Sequence, residues 1–192
     1  MENKLFLGIV GPIGSGKDTA GSYLKIYHNA SVLVSSELLG AILSLLKLDP
    51  EKREFLQKLP IILRETFGST VITDAMIENM RETKKAISVW NGVRFPSDVE
   101  GIRSLPNSAI IGITANPIVR FNRIKERGQK SGEKDLTWEQ FEYESLKPTE
   151  QATSHILKHD SDIILDNSGT VDELHQKIDQ FIKDMKKKFN II

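Results

Sequence analysis

Runs of apolar residues alternate with amphipathic stretches along the chain, and this pattern predicts strands that alternate with helices. Five short apolar runs have the length of strands: Leu5–Val10, Ser31–Val34, Ile87–Trp90, Ala109–Thr114 and Asp162–Asp166. Most of them are nearly continuous, as in strands that are covered on both faces of a parallel sheet. We therefore predict a doubly wound α/β fold, a five-stranded parallel sheet with helices on both faces.

Capping signals predict where several helices begin. Asp49–Pro50 and Asn116–Pro117 each combine an N-cap residue with proline at the first helical position. Three further pairs have the spacing of a capping box: Ser97 with Glu100, Thr137 with Gln140, and Thr170 with Glu173. The last helix has an apolar face that should lie against the sheet: Val171, Leu174, Ile178, Phe181, Ile182 and Met185.

Composition narrows the possible partners. The chain has 192 residues, of which 39% are hydrophobic, and its 26 Lys plus Arg balance 26 Asp plus Glu. A net charge of zero provides no global basic field, so neither nucleic acid nor a membrane is expected as a partner. Without cysteine there are no disulfides or thiolate metal sites. No apolar run approaches the roughly 20 residues of a spanning helix, so we expect a cytoplasmic protein. The oligomeric state stays open.

The strongest functional signal is the segment GPIGSGKDT from Gly11 to Thr19, which fits the phosphate-binding pattern G-x-x-x-x-G-K. It follows an apolar strand and opens a helix, so its backbone N–H groups can point at an anion beside the helix N-terminus. The alternative is a glycine-rich turn with a solvated lysine. Contacts to ATP are expected from these residues of the loop: Gly11, Ile13, Gly14, Ser15, Gly16, Lys17, Asp18 and Thr19.

Asp18 departs from the pattern, because a Ser or Thr that binds Mg²⁺ usually follows the lysine. A carboxylate there can still bind the metal, directly or through water, and Thr19 is the other candidate. No N-K-x-D signature of a GTPase is present, and Asn91 follows the strand where motor-type ATPases carry an acid. A small-molecule kinase fits these features better.

Arginines on one helix are candidates for the transfer step. Arg120, Arg123 and Arg127 recur at a spacing that places three guanidinium groups on one helical face. Such groups can neutralise charge on a transferring phosphoryl group. Arg123 and Arg127 are the preferred candidates because they precede the flexible segment GQKSGEKD from Gly128 to Asp135, interpreted as the tip of a lid. A solvated helix face and a plain surface loop are the alternatives.

These segments together resemble the nucleoside monophosphate kinase and dephospho-CoA kinase group, and most closely the archaeal-type adenylate-kinase-related, dephospho-CoA-kinase-like proteins. Besides the phosphate loop, the similar segments are VLVSSELL at 32–39, LRETFG at 63–68, NGVR at 91–94 with VE at 99–100, and SDIILDNSG at 161–169. The resemblance implies one P-loop kinase domain over residues 1–192. It further implies an acceptor-binding helical region at about 36–82 and a lid at about 120–147.

The resemblance also implies roles for single residues. Asn167 and Gly169 would contact or shape the adenine pocket. Arg94, after a strand and a glycine, would bind the acceptor at the carboxyl edge of the sheet, with Arg64 as a second candidate. Glu37 would also lie at the acceptor, but it is displaced by one position from the aspartate with which dephospho-CoA kinases deprotonate a ribose hydroxyl, and Ser36 stands in its place.

The expected activity is ATP- and Mg²⁺-dependent transfer of the γ-phosphoryl group to a small acceptor. A nucleoside or deoxynucleoside monophosphate is favoured over dephospho-CoA, because a phosphate needs no general base to be nucleophilic. Lys17, Arg123, Arg127 and Glu37 are the candidate catalytic residues. A dephospho-CoA kinase-like activity, a non-catalytic nucleotide-binding module and an ATPase that acts on a macromolecule are the alternatives. His155 and His159 lack an apparent third metal ligand and are interpreted as surface or packing residues.

Overall fold

A computed structural model describes residues 3–128 and 133–191. The predicted lid tip, Gly128–Asp135, therefore lies partly outside the described residues. The elements in chain order are β1 Leu5–Val10, α1 Lys17–Tyr27, β2 Ser31–Val34, α2 Ser35–Leu45, α3 Arg53–Phe67, α4 Val71–Glu82, β3 Ile87–Asn91, α5 Pro96–Arg103, β4 Ser108–Thr114, α6 Pro117–Arg127, α7 Trp138–Ser145, α8 Pro148–His159, β5 Ile163–Asp166 and α9 Val171–Lys188.

The five strands form one parallel sheet in the order β2-β3-β1-β4-β5, which confirms the predicted fold class. The central strand β1 pairs with β3 through Leu5 opposite Ile87, and with β4 through Phe6 opposite Ser108. The chain therefore crosses from one side of β1 to the other between β3 and β4. In open α/β sheets, ligands bind at such a switch point, beyond the carboxyl ends of the strands.

Apolar side chains on the two faces of the sheet build two separate cores. Leu5, Leu7 and Ile9 point to the face that α1 and α9 cover. Phe6 and Val10 point to the opposite face, which α2, α4, α5 and α8 cover. Every residue of β1 is buried. Burial on both faces explains why this strand is a continuous apolar run, and it holds the loop after β1 on a rigid base.

Three of the predicted helix starts are confirmed. The Asn116 side chain accepts a hydrogen bond from the Ile118 N–H at 2.9 Å. The pairs Thr137 with Gln140 and Thr170 with Glu173 form reciprocal capping boxes, with side-chain to backbone distances of 3.0 to 3.3 Å. Each of these helices therefore begins where its N–H groups find a local acceptor.

Two predicted helix starts are wrong. The Asp49 carboxylate accepts from the Glu51 N–H at 2.9 Å in a turn, and α3 begins only at Arg53. Ser97 and Glu100 do not form a capping box, because α5 begins at Pro96 and Asp98 accepts from the Phe95 N–H instead. In both cases the aspartate carboxylate accepts a hydrogen bond from a backbone N–H near it in the chain, and the helix begins at a different residue from the predicted one.

Smaller corrections concern the ends of elements. Strand β3 extends to Asn91 and β4 begins at Ser108, one residue beyond each prediction, while β5 begins at Ile163. Asp162 lies outside β5, where its carboxylate accepts from the Ile110 N–H at 2.7 Å. Val171 is 48% exposed and does not pack against the sheet as predicted. Over residues 3–128 and 133–191, no helix is both long enough and apolar enough to cross a membrane.

Candidate active site

The loop between β1 and α1 lies at the carboxyl edge of the sheet and depends on its glycines. Gly14 and Gly16 have φ angles of +77° and +97°, which residues with a side chain rarely adopt. A Cβ atom at Gly11 would lie 2.1 Å from the Ile113 carbonyl oxygen on β4. The loop can therefore curl tightly against β4 only with glycine at these positions.

Asn167 braces the loop from the other side. Its Nδ2 donates to the Ser15 carbonyl oxygen at 2.8 Å, and its side chain is buried. A Cβ at Gly16 would come within 2.2 Å of that same Nδ2. The residue that the resemblance assigned to the adenine pocket thus fastens the end of β5 to the phosphate loop. Its contact with adenine stays a prediction.

Lys17 folds back over the loop that it follows. Its Nζ donates to the Pro12 carbonyl oxygen at 3.1 Å, so the ammonium group lies beside the curled backbone. The same residue begins α1, whose N-terminal N–H groups also attract negative charge. Backbone dipoles and a full positive charge therefore converge on one place, which fits a bound phosphate.

A carboxylate of the protein contacts this loop, and the sequence did not point to it. The Ile13 N–H donates to Glu150 Oε2 at 3.2 Å, although the two residues are 137 positions apart. Glu150 lies in the first turn of α8, which begins at Pro148. The contact shows that at least one loop N–H is directed at an anionic oxygen.

Arg120 is the member of the arginine face that reaches the phosphate loop. Its Nη1 donates to the Ile13 carbonyl oxygen at 3.2 Å, and its guanidinium lies 5.1 Å from the centre of the Phe141 ring. Burial lowers the pKa of Arg120 from its ordinary value, and the nearby Glu150 carboxylate opposes that shift. Arg120 and Glu150 thus form an opposite-charge pair around Ile13.

The two preferred arginines lie further from the loop. Arg123 donates from Nη2 to the Gly169 carbonyl oxygen at 3.4 Å, near the turn that follows β5. Arg127 forms an ion pair with Glu133 at 2.5 Å. Because α6 starts at the carboxyl edge of the sheet, its first turns lie nearest the phosphate loop. Arg120 is therefore the arginine that contacts the loop, and the roles of Arg123 and Arg127 in transfer stay a prediction.

Asp18 and Asn91 meet beside the loop. Asn91 Nδ2 donates to Asp18 Oδ1 at 2.9 Å across 73 positions of the chain. Asn91 is buried at the end of β3, and its Oδ1 has no hydrogen-bond partner among residues 3–128 and 133–191. Asp18 and Thr19 are exposed. A carboxylate and an unpaired amide oxygen are hard oxygen donors, so these residues fit Mg²⁺, which also takes water and phosphate oxygens.

Both predicted acceptor arginines adjoin Phe95, the residue before α5. The Arg64 guanidinium lies 4.3 Å from the centre of the Phe95 ring, and the exposed Arg94 directly precedes Phe95. The Arg94 N–H donates to the buried Asp98 carboxylate at 3.0 Å. Burial raises the pKa of Asp98, while hydrogen bonds from Arg94, Thr73 and Phe95 and the charge of Arg64 oppose the rise.

Glu37 is exposed in the first turn of α2, beyond the end of the edge strand β2. The start of this helix is tied to the sheet by Trp90, whose Nε1 donates to Ser35 Oγ at 2.9 Å.

The rings of His155 and His159 lie 4.5 Å apart on α8. In the part of the chain that the structure describes, no three His, Asp or Glu side chains gather into a metal cluster.

The chain is similar in sequence to several known proteins and in fold to solved structures. No protein-family model matches the chain. A UPF0200 protein of Methanocaldococcus jannaschii is 26% identical over 197 residues, which cover 98% of this chain and 97% of that protein. A UPF0200 protein of Hyperthermus butylicus is 28% identical over 144 residues, 75% of each chain.

Among solved structures, a shikimate kinase from Acinetobacter baumannii, in complex with shikimate, is similar with a TM-score of 0.55, at 18% identity and over 96% of each chain. The chain has the P-loop kinase fold. The name UPF0200 carries no activity. The narrower resemblance to adenylate-kinase-related or dephospho-CoA-kinase-like proteins stays a prediction.

Proposed function

We propose that the protein is an ATP-dependent phosphotransferase that acts on a small molecule. The observation that carries the proposal is the position of α6 against the phosphate loop, with the Arg120 guanidinium on the Ile13 carbonyl oxygen. A cation held there lies beside the bound phosphates, where charge develops during transfer. A glycine-rich turn that binds no ligand would not need positive charges such as Lys17 and Arg120 beside it.

In this proposal, Lys17 and the loop N–H groups hold the β- and γ-phosphates of ATP, and Asn167 keeps the loop in shape. Mg²⁺, held by Asp18 with Thr19 as the second candidate, would neutralise negative charge on the phosphates when it is bound. Arg120 and Arg123 face the loop and the turn after β5, where they orient the phosphates and balance their charge. Catalysis then rests on positioning and electrostatics, as in other phosphoryl transfers.

A lid is part of the proposal. Phe121 on α6 lies 5.4 Å from Trp138 and 5.7 Å from Phe141, measured between ring centres, and both partners lie on α7. These aromatic contacts pack α7 onto α6. We propose that residues 120–147 act as a lid whose closure brings Arg123 and Arg127 towards the nucleotide and excludes water.

For the acceptor we propose a nucleoside or deoxynucleoside monophosphate. Arg64 and Arg94 lie around Phe95 at the carboxyl edge of the sheet and supply two positive charges for a phosphate dianion. A monophosphate is already ionised at neutral pH, so its transfer needs no general base. The alternative acceptor is a ribose hydroxyl as in dephospho-CoA, for which Glu37 would take the proton.

A transfer assay with γ-labelled ATP tests the function. The acceptor panel contains the nucleoside and deoxynucleoside monophosphates, dephospho-CoA and shikimate, and Arg94→Ala serves as the acceptor-site variant. We expect label on a monophosphate, and slower transfer in Arg94→Ala at acceptor concentrations below the KM. Transfer to dephospho-CoA alone, abolished by Glu37→Gln, would contradict the proposed acceptor.

The same assay separates the other classes of function. ATP binding without transfer to any member of the panel would favour a non-catalytic nucleotide-binding module. Release of labelled phosphate that needs no acceptor and rises with a macromolecular partner would favour an ATPase. Absence of both binding and transfer would contradict the phosphate-loop assignment itself.

A further inference from the structure

Asp18 and Asn91 occupy the two positions from which P-loop proteins usually hold Mg²⁺. The usual pair is a Ser or Thr hydroxyl after the loop lysine and an aspartate on a strand. Here the first position holds the carboxylate of Asp18, and the strand position at the end of β3 holds the amide of Asn91. The usual pair and this pair each contain one carboxylate. In the usual pair it is on the strand, whereas here it is on the helix that follows the loop.

We propose that Asp18 and Asn91 are an exchanged metal-holding pair, in which Asp18 supplies the charge and Asn91 is its positioning residue. The inference rests on the proposed binding of Mg²⁺–ATP and goes beyond it, because it assigns a role to Asn91 and couples it to Asp18. Asn91 Nδ2 and Asp18 Oδ1 are 2.9 Å apart and come from separate elements, so the fold brings the two side chains together.

The hydrogen bond fixes how the amide is oriented. An ionised carboxylate only accepts hydrogen bonds, so Asn91 must present its Nδ2 to Asp18. Its Oδ1 is then left buried, without a partner among residues 3–128 and 133–191. A buried acceptor without a partner is unfavourable, and a water molecule on Mg²⁺ would donate to it. The orphaned oxygen is a second observation that points to a ligand beside Asp18.

An exchanged pair predicts that each single substitution weakens Mg²⁺ binding and that the double substitution restores it. Asp18→Ser removes the only carboxylate of the pair. Asn91→Asp removes the Nδ2 donor that positions Asp18 and puts a second carboxylate in its place, so that the two acids repel each other and turn apart. Asp18→Ser together with Asn91→Asp restores the usual hydroxyl and aspartate on their usual elements. Residues in direct contact are expected to be non-additive in this way.

If Asp18 were only a favourable acid in the first turn of α1, the result would differ. Asp172 is a matched case, because it is also exposed and also the second residue of its helix, α9. A structural acid at either helix start stabilises through the helix dipole alone. Asp172→Ser is therefore the control variant. It should leave the Mg²⁺ dependence of ATP binding unchanged.

The experiment measures ATP affinity by calorimetry with and without Mg²⁺, and Mn²⁺ binding to the ATP complex by electron paramagnetic resonance. The quantity compared is the gain in affinity that the metal provides. We expect each single variant to reduce this gain by about 10-fold and the double variant to recover it to within about 3-fold of the original protein. Thermal unfolding checks each variant, and Asp18→Asn is a second single variant that keeps the size of the side chain.

Each outcome bears on one of the two claims. Losses that simply add in the double variant would overturn the exchanged pair, as would an unchanged metal gain in both Asp18→Ser and Asp18→Asn. In those cases ATP still binds, and the proposed function stands. If the original protein binds no ATP with or without Mg²⁺, the proposed function fails and the exchanged pair fails with it.

Discussion

The two halves of the candidate site differ in how far the protein itself holds their polar side chains. In the donor half, which comprises the loop 11–19 with Arg120, Glu150 and Asn167, side chains from α6, α8 and the end of β5 make hydrogen bonds to the loop backbone. In the acceptor half, which comprises α2 to α4 with Glu37, Arg64 and Arg94, the side chains of Glu37 and Arg94 are exposed.

The donor half is also more tightly packed than the acceptor half. The loop is enclosed by β4, α6 and the end of β5, so that added Cβ atoms would clash at Gly11, Gly14 and Gly16. Helices α2 and α3 instead leave large apolar side chains in solvent, with Leu45 82% exposed and Phe67 69% exposed. The loop of the donor half is thus held in one shape by its neighbours, whereas α2 and α3 of the acceptor half are less tightly packed, and a rigid site costs less to order when a ligand binds.

The largest expected effect breaks the donor half. Lys17→Ala removes a full positive charge from beside the loop, so ATP affinity should fall at least about 10-fold, or about 1.4 kcal/mol. Lys25→Ala is the matched control, because Lys25 is exposed in the last turn of the same helix. Calorimetric titration with ATP measures the change. Equal affinities for the two variants would contradict the assignment of the loop.

Features of the donor half that depend on neighbouring residues could be predicted from the sequence. The glycine spacing of the loop, the continuous apolar run of β1 and the caps at Asn116, Thr137 and Thr170 each depend on neighbouring residues. Their geometry follows from backbone sterics and hydrogen bonding within one turn. These features, together with the order of strands and helices, were enough to predict the fold class.

Contacts between distant elements could not be predicted in the same way. Glu150 and Ile13 are 137 positions apart, and Asn91 and Asp18 are 73 apart, so no periodic pattern links them. Only the arrangement of β3 and α8 around β1 brings them together. A local pattern can also mislead. Asp49 has the pattern of a helix N-cap, but its carboxylate accepts a hydrogen bond within a turn that precedes the helix.

The next effect tests the acceptor half alone. Arg94→Ala should raise the KM for the acceptor by about 10-fold and leave ATP affinity unchanged, because Arg94 is exposed and separate from the loop contacts. Arg94→Lys keeps the charge but loses bidentate geometry, so its effect should be intermediate. Steady-state kinetics with varied acceptor give the comparison. A fall in ATP affinity in Arg94→Ala would show that the two halves are not independent.

A smaller effect of opposite sign is expected at Glu150. Its carboxylate accepts from the Ile13 N–H, so the nucleotide must displace it to use that donor. Glu150→Gln keeps the shape and removes the charge, and ATP should bind about 5-fold more tightly, or about 1 kcal/mol. Glu82→Gln, an exposed change at the end of α4, is the control. Weaker ATP binding in Glu150→Gln would mean that the carboxylate assists the nucleotide.

The smallest effect concerns Asp98, a buried residue of α5 that braces the turn of Arg94 in the acceptor half. Its carboxylate accepts from the Arg94 and Phe95 N–H groups at 3.0 and 3.1 Å and from Thr73 Oγ1 at 2.8 Å, and so holds the turn that carries Arg94. Burial raises the pKa of Asp98 above its ordinary 3.8. The folded state therefore binds more protons than the unfolded state between 3.8 and the raised pKa, and stability falls as pH rises through that interval.

Asp98→Asn removes this titration and keeps an oxygen for the two backbone donors, since the amide NH₂ can face Thr73. Urea unfolding from pH 3.5 to 7 compares the two proteins, with the interval chosen to begin below the ordinary pKa of 3.8. The free energy of unfolding of the original protein, relative to Asp98→Asn, should decline with rising pH and then level off. A relative stability that rises with pH would mean that the three hydrogen bonds outweigh burial. Asp98 would then stabilise the turn that carries Arg94 through its hydrogen bonds, as Asn167 braces the loop of the donor half.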